Sequence, residues 1–140
     1  MKKKLLVTGG AGFIGSHFIR HILKTYPNYE IINLDALTYC GNLKNLQDIE
    51  QDSRYTFVNG DILDSALLDT LAKKEIDAII NFAAESHVDR SILDATAFLN
   101  TNIQGVRTLL EIVKKYRSST ILPYFKLIHL WHFSIHIYYW

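Results

Sequence analysis

Short apolar runs alternate with longer amphipathic stretches along most of the chain. Lys4 to Thr8, centred on Leu5-Leu6-Val7, is a compact apolar run of the kind a strand buried on both faces requires. From Phe13 to Thr25 the period lengthens: Ile14, Phe18, Ile19, Ile22 and Leu23 recur at helical spacing, which predicts a helix ended by Pro27 and Asn28. The same reading gives strands over Glu30 to Leu34, Tyr55 to Val58, Asp77 to Ala83 and Phe125 to Leu130. Helices fall over Leu43 to Ile49, with Leu43, Leu46 and Ile49 on one face, over Ser65 to Lys73 and over Thr96 to Tyr116. Strands alternating with helices at these spacings predict βαβ units. The expected fold class is therefore α/β, a Rossmann-type doubly wound parallel sheet of about five strands with helices on both faces. Right-handed crossovers favour the strand order three-two-one-four-five.

Composition narrows the class. The 140 residues are 49% hydrophobic and 21% charged, enough apolar material for one globular domain with a sizeable core. A net charge of +1 supplies no basic field, so nucleic acid is not an expected partner. Cys40, the single cysteine, cannot form an internal disulfide, which fits a reducing cytoplasm. Lys2, Lys3 and Lys4 precede an apolar run as in a signal peptide. However, Thr8-Gly9-Gly10 follows at once, too soon for an apolar region of roughly 7–15 residues.

Residues 8–16 read Thr-Gly-Gly-Ala-Gly-Phe-Ile-Gly-Ser between a predicted strand and a predicted helix, and Gly10, Gly12 and Gly15 satisfy G-x-G-x-x-G. Without side chains the backbone turns tightly and can approach a pyrophosphate, and the helix start offers unpaired N–H groups and positive dipole. Asp35 follows the second predicted strand, 20 residues after Gly15, where a carboxylate accepts hydrogen bonds from ribose hydroxyls and repels a 2′-phosphate. This favours NAD over NADP. Asp61, in Asn59-Gly60-Asp61-Ile62, falls at the carboxyl edge of the sheet; a ligand contact and a turn or cap role are both open there.

Several segments together carry a family resemblance. Thr8-Gly9-Gly10-Ala11-Gly12-Phe13-Ile14-Gly15 resembles the cofactor loop of extended short-chain dehydrogenases/reductases. Leu34-Asp35-Ala36-Leu37-Thr38-Tyr39-Cys40-Gly41-Asn42-Leu43 resembles their nucleotide-sugar 4,6-dehydratase branch. Phe82-Ala83-Ala84-Glu85-Ser86-His87-Val88-Asp89-Arg90-Ser91 and Asn100-Thr101-Asn102-Ile103-Gln104-Gly105 are similar to the dTDP-glucose 4,6-dehydratases within it. The resemblance spans residues 3 to about 116. It implies that Gly9, Gly12, Phe13, Ile14 and Gly15 cradle the pyrophosphate of NAD, and that Asp35, Ala36, Leu37 and Thr38 surround the adenosine ribose. Asp61 and Ile62 would flank adenine, Ala83, Ala84 and Glu85 would pass close to the cofactor, and Thr101 would touch it from the long helix. Ser86 and His87 would face the nucleotide sugar. By residue type alone, Glu85, His87, Asp89 and Arg90 fit a salt-linked surface loop equally well.

The resemblance also implies a reaction. Hydride leaves the sugar C4 for NAD, water is lost across C5 and C6, and the hydride returns to C6. The family expects a Thr-Asp-Glu run after the fifth strand and then Tyr-x-x-x-Lys, with the Tyr as base. Here Phe125-Lys126-Leu127-Ile128-His129-Leu130 is followed by Trp131-His132-Phe133-Ser134-Ile135-His136-Ile137-Tyr138-Tyr139-Trp140. No acid follows Glu111, and no Tyr stands four residues before a Lys. No catalytic residue is therefore assigned. The expected organisation is an incomplete NAD-binding domain over 1–130, ending before the last strands and the sugar-binding domain, with a non-family aromatic tail over 131–140. The expected function is the N-terminal part of a dTDP-glucose 4,6-dehydratase, a lyase of deoxysugar synthesis, inactive alone. A non-catalytic NAD-binding fragment and a nucleotide-sugar 4-epimerase are the alternatives. The family's homodimer is expected of the whole enzyme.

The tail has rival readings. His129, His132 and His136 would share a helix face as zinc ligands do, but they begin in a predicted strand with no carboxylate or cysteine beside them, so no metal is expected. Residues 121–140 approach a membrane-span length, yet Pro123, Lys126 and three histidines oppose insertion, and no membrane partner is expected. The fifth strand is expected to be an exposed edge. A disrupted reading frame near residue 130, or soon after Tyr116, would account for the tail. Sequencing the coding DNA should then reveal an alternative frame encoding Ser-Thr-Asp-Glu just downstream, and its absence would rule the disruption out.

Overall fold

The computed structural model describes residues 2–86, 95–117, 127–131 and 134–138. Strand β1 (Lys3–Thr8) lies between β2 (Tyr29–Asp35) and β4 (Ala78–Asn81), parallel to both, with Leu5 opposite Ile31 on one side and Ala78 on the other. Strand β3 (Tyr55–Asn59) pairs with the outer edge of β2, and β5 (Leu127–Trp131) with the outer edge of β4, both parallel. The three-two-one-four-five order expected from right-handed crossovers is therefore present.

The apolar runs take this form because successive side chains leave a strand on opposite faces, and here both faces are covered. Leu6, Ile32, Leu34 and Ile79 pack on one side against Leu68, Leu71, Ile76, Leu109, Ile112 and Val113. Leu5, Val7, Ile31 and Ile80 pack on the other against Ile19, Ile22, Leu23 and Leu46. The first group is covered by α2 (Ser65–Ala72) and α4 (Val106–Arg117), the second by α1 (Phe13–Thr25). Fully burying each such side chain contributes about 1.5–3 kcal/mol, so the two layers fix which face each strand presents. Helix α1 ends where Arg54 Nη1 donates to Leu23 O at 2.9 Å, its guanidinium held by Asp52 at 2.6 Å.

Several expectations are corrected. Leu43 to Ile49 is not an α-helix: only Leu43–Leu46 is helical, as a 3₁₀ turn capped by the Asn42 side chain on Lys44 N. Asn42 N and Asn45 Nδ2 both donate to Ala11 O, at 3.1 and 2.9 Å, so tertiary ties to the glycine loop override the local apolar spacing. Strand β4 stops at Asn81 rather than Ala83, after which Phe82 N makes one more bond, to Thr8 O at 2.9 Å. The long helix is interrupted: α3 (Thr96–Leu99) runs into a π-helical segment, Asn100–Gly105, before α4 begins. The sheet has six strands rather than about five, because β6 (Ser134–Tyr138) pairs antiparallel with β5, Trp131 opposite Ser134. Two residues separate those strands, the length of a tight hairpin, and Ser134-Ile135-His136-Ile137-Tyr138 alternates as a strand does. The β5 edge expected to be exposed is thus paired. His129 and His136 are backbone register partners on neighbouring strands rather than residues of one helix, and His132 lies outside the described residues. Among the described residues no helix is long and apolar enough to cross a membrane.

Asp69 ties α2 to α4. Its carboxylate accepts from Lys73 Nζ at 3.0 Å, from Lys115 Nζ, and from the Tyr116 hydroxyl at 2.9 Å. Hydrogen bonds from Lys115, then Lys73 and Tyr116, hold its pKa well below the usual carboxylate range. A depressed folded pKa contributes stability that is complete above the unfolded value of about 4 and is lost as pH falls below it. Melting temperatures of the unaltered protein and Asp69→Asn should therefore differ by a constant amount above about pH 5, and the difference should shrink steadily as pH falls below about 4. A gap independent of pH across that range would contradict this.

Candidate functional site

The loops leaving β1, β2, β3 and β4 meet at the carboxyl edge of the sheet around an open cleft. Beneath it the side chains become polar: the Thr8 hydroxyl donates to Asn81 Oδ1, joining β1 to β4, and Asn33 Nδ2 donates to the Tyr55 hydroxyl at 2.9 Å.

The glycine loop crosses the top of β1. Gly9 takes φ +69°, and a Cβ there would stand 2.5 Å from Ala83 N, so both conformation and close approach require glycine. A side chain at Gly15 would overlap Gly9 O, which lets the first turn of α1 press against the loop. Gly12 is the N-cap of α1 and no side chain caps that end. The first N–H groups of a helix have no intrahelical partner, so those of Phe13, Ile14 and Gly15 are directed at the cleft end of the helix. The Phe13 and Ile14 side chains are 77% and 64% exposed, and of the expected pyrophosphate residues only Gly9 and Gly12 line the cleft itself, Phe13, Ile14 and Gly15 lying behind them in the first turn of α1.

Asp35 closes the other side. It is 8% exposed, and its carboxylate accepts from Ala11 N and Leu37 N, both at 2.8 Å. Its carbonyl accepts from Gly60 N at 3.1 Å. Each carboxylate oxygen has a second lone pair left for a ligand. Leu37 adopts a left-handed φ of 51°, which turns its N–H back onto Asp35 and brings Gly41 against the same carboxylate. Asp35, Ala36 and Thr38 line the cleft, while Leu37 contributes through its N–H.

Gly9, Gly12, Asp61, Ile62, Ala83, Ala84, Glu85 and Thr101 also line the cleft. Of the two roles open for Asp61, the turn role is present: its carboxylate accepts from Leu63 N at 2.9 Å, while Asp64 caps α2. Ser86 is at the exposed rim, its hydroxyl 3.4 Å from the Tyr39 hydroxyl. His87 lies outside the described residues, as do Asp89 and Arg90. Sequence reading missed Leu34, Cys40, Gly41, Gly60 and Phe82 as cleft residues. Gly60 immediately precedes Asp61 and was within reach of the strand-end rule. The approach of Gly41 to Asp35 exists only once the loop folds back.

A glycine turn feeding a helix start, with an acid at the end of the neighbouring strand, defines a dinucleotide-binding domain of the Rossmann type. A family model described as GDP-mannose 4,6 dehydratase matches residues 6–130, and the chain belongs to that family. It is 50% identical over 117 residues to the dTDP-glucose 4,6-dehydratase of Salmonella typhimurium, covering 83% of this chain and 32% of that protein. The structure of a dTDP-glucose 4,6-dehydratase from Bacillus anthracis in complex with NAD superposes with a TM-score of 0.77 at 44% identity, over 91% of this chain and 36% of that one. One from Streptomyces venezuelae with NAD bound gives 0.76 at 53% identity, over 81% and 36%. The chain spans about a third of the length of the relatives it matches.

The two glycines predict different outcomes. Gly15→Ala should cost about 1–3 kcal/mol in a urea melt, because its Cβ meets backbone that cannot yield. Gly12→Ala should cost under about 1 kcal/mol, since Gly12 has ordinary extended dihedrals and its Cβ would meet only Gly9 O, at 3.3 Å.

Proposed function

We propose that this chain is the NAD-binding N-terminal part of a nucleotide-sugar 4,6-dehydratase acting on dTDP-glucose. The observation that carries the reading is the pairing, across one cleft, of an uncapped helix start with the nearly buried carboxylate of Asp35. One suits a pyrophosphate and the other suits ribose hydroxyls, and their separation by the glycine loop suits a dinucleotide.

In this reading the N–H groups of Phe13, Ile14 and Gly15, with the backbone at Gly9 and Gly12, hold the pyrophosphate. Asp35 accepts from the adenosine ribose, with Ala36, Leu37 and Thr38 shaping its surroundings, and Asp61 and Ile62 border the adenine. Ala83, Ala84, Glu85 and Thr101 line the path of the second half of the cofactor, and Ser86 and His87 keep the sugar-nucleotide role that the resemblance implies for them. NAD, when bound, supplies the hydride acceptor and donor of the internal redox cycle. The chain's own part is to orient it and to exclude a 2′-phosphate. The acid–base groups implied by the resemblance are not among its residues, so binding without turnover is expected of it alone. Against an epimerase stands Glu85-Ser86-His87-Val88-Asp89-Arg90, which resembles the dehydratases, whereas the glycine loop is common to both. A cytoplasmic location and a dimer of the whole enzyme belong to the same proposal.

Calorimetric titration tests it. NAD should bind, NADP should bind at least about tenfold more weakly (~1.4 kcal/mol), and Gly12→Ala should weaken NAD while leaving the fold intact. Equal affinity for NADP would refute the role given to Asp35. With dTDP-glucose and NAD supplied together, no 4-keto product should be detected in alkali, and turnover would show that the chain carries catalytic groups unrecognised here.

A further inference from the structure

Beyond Asn81 the chain leaves β4, and residues 83–86 pair with no strand among the described residues. Buried or half-buried backbone groups must still find partners. Those of Glu85 find one side chain: Glu85 N donates to Asn102 Oδ1 at 2.9 Å, and Asn102 Nδ2 donates to Glu85 O at 2.8 Å. A carboxamide carries a donor and an acceptor in one plane, so it substitutes for a neighbouring strand at that point. Asn102 belongs to the π-helical segment Asn100–Gly105, an irregularity frequent at functional sites. The residue before it, Thr101, lines the cleft, and Gly105 sits so close to Ile62 that a Cβ would overlap its side chain. The π segment thus brings one helix against two loops of the cleft at once.

We propose that Asn102 is a positioning residue that sets the path of the nicotinamide half of the cofactor by clamping the Glu85 backbone. The inference rests on the NAD-binding reading above and on the order of the strands. Asp35 ends β2, the glycine loop leaves β1, and Ala83 to Glu85 leave β4 on the far side. A dinucleotide with its adenosine ribose at Asp35 and its pyrophosphate at the loop has its remaining half over residues 83–85. The clamp therefore acts on that half alone.

The test compares NAD with ADP, which lacks the nicotinamide riboside, as ligands of the whole 140-residue chain. Asn102→Ala should weaken NAD about tenfold, as loss of two hydrogen bonds would, and change ADP less than about twofold. Amide hydrogen exchange should show Glu85 N–H losing protection in the variant. Asn102→Asp, of equal size, keeps the acceptor for Glu85 N–H but places an oxygen against Glu85 O, and should shift NAD in the same direction should the alanine variant not fold. Equal losses for NAD and ADP, no loss for either, or unchanged protection at Glu85 would overturn the proposal. Failure of the unaltered chain to bind either ligand would overturn the NAD-binding reading itself, and this inference with it.

Discussion

One carboxylate has to be in place at the end of β2 before the loops around the cleft can hold their positions. Asp35 takes an N–H from the loop after β1 at Ala11 and another from the loop after β2 at Leu37, while its carbonyl takes a third from Gly60 after β3. Hydrogen bonds to a charged group contribute about 1.5–3 kcal/mol each. The left-handed backbone at Leu37 costs an amount of the same order, about 1–3 kcal/mol. The bond from Leu37 N therefore offsets the strain of the turn that makes it, and the bond from Ala11 N remains to fix the glycine loop. A single group thus shapes the site by its hydrogen bonds and keeps lone pairs for whatever binds there.

The sheet below supplies the rigidity this needs. Alternating residues of β1, β2 and β4 are locked into two apolar layers, and the layers give way to Thr8, Asn33 and Asn81 only at the carboxyl end. That change from apolar to polar within single strands marks where packing ends and recognition begins. Asn33 carries the cost of it: its buried Oδ1, under Gly10, has no hydrogen-bond partner among the described residues.

Features set by local chemistry were legible in the sequence. The helix Phe13–Thr25 could be read to the residue, because a glycine turn precedes it and a proline follows. The strand order followed from crossover handedness, and Asp35 from its distance to the loop. Features set by long-range partners were not. The 3₁₀ turn at Leu43–Leu46 depends on Ala11, the early end of β4 on where the chain leaves the sheet, and the π segment on contacts with Glu85 and Ile62. Asn102 stood within a motif that could be quoted, yet spacing alone assigned it nothing. Strand β6 carries a two-residue alternation too short to declare itself without β5 beside it.

The capping of α1 has a consequence for how the cleft meets a ligand. At the carboxyl-terminal end of the helix the Arg54 guanidinium, held by Asp52, donates to Leu23 O and satisfies one of the last carbonyls. At the other end stands Gly12, with no side chain to cap it. The two ends are finished differently: the first N–H groups of the helix stay open beside the cleft, and the nearest carboxylate, Asp35, takes the N–H of Ala11 just before the cap. A chain with a formal net charge of only +1 can in this way present a local attraction for anions that its composition does not disclose. Because that attraction comes from backbone dipoles held in place, it varies with salt but not with the titration of any side chain in the loop.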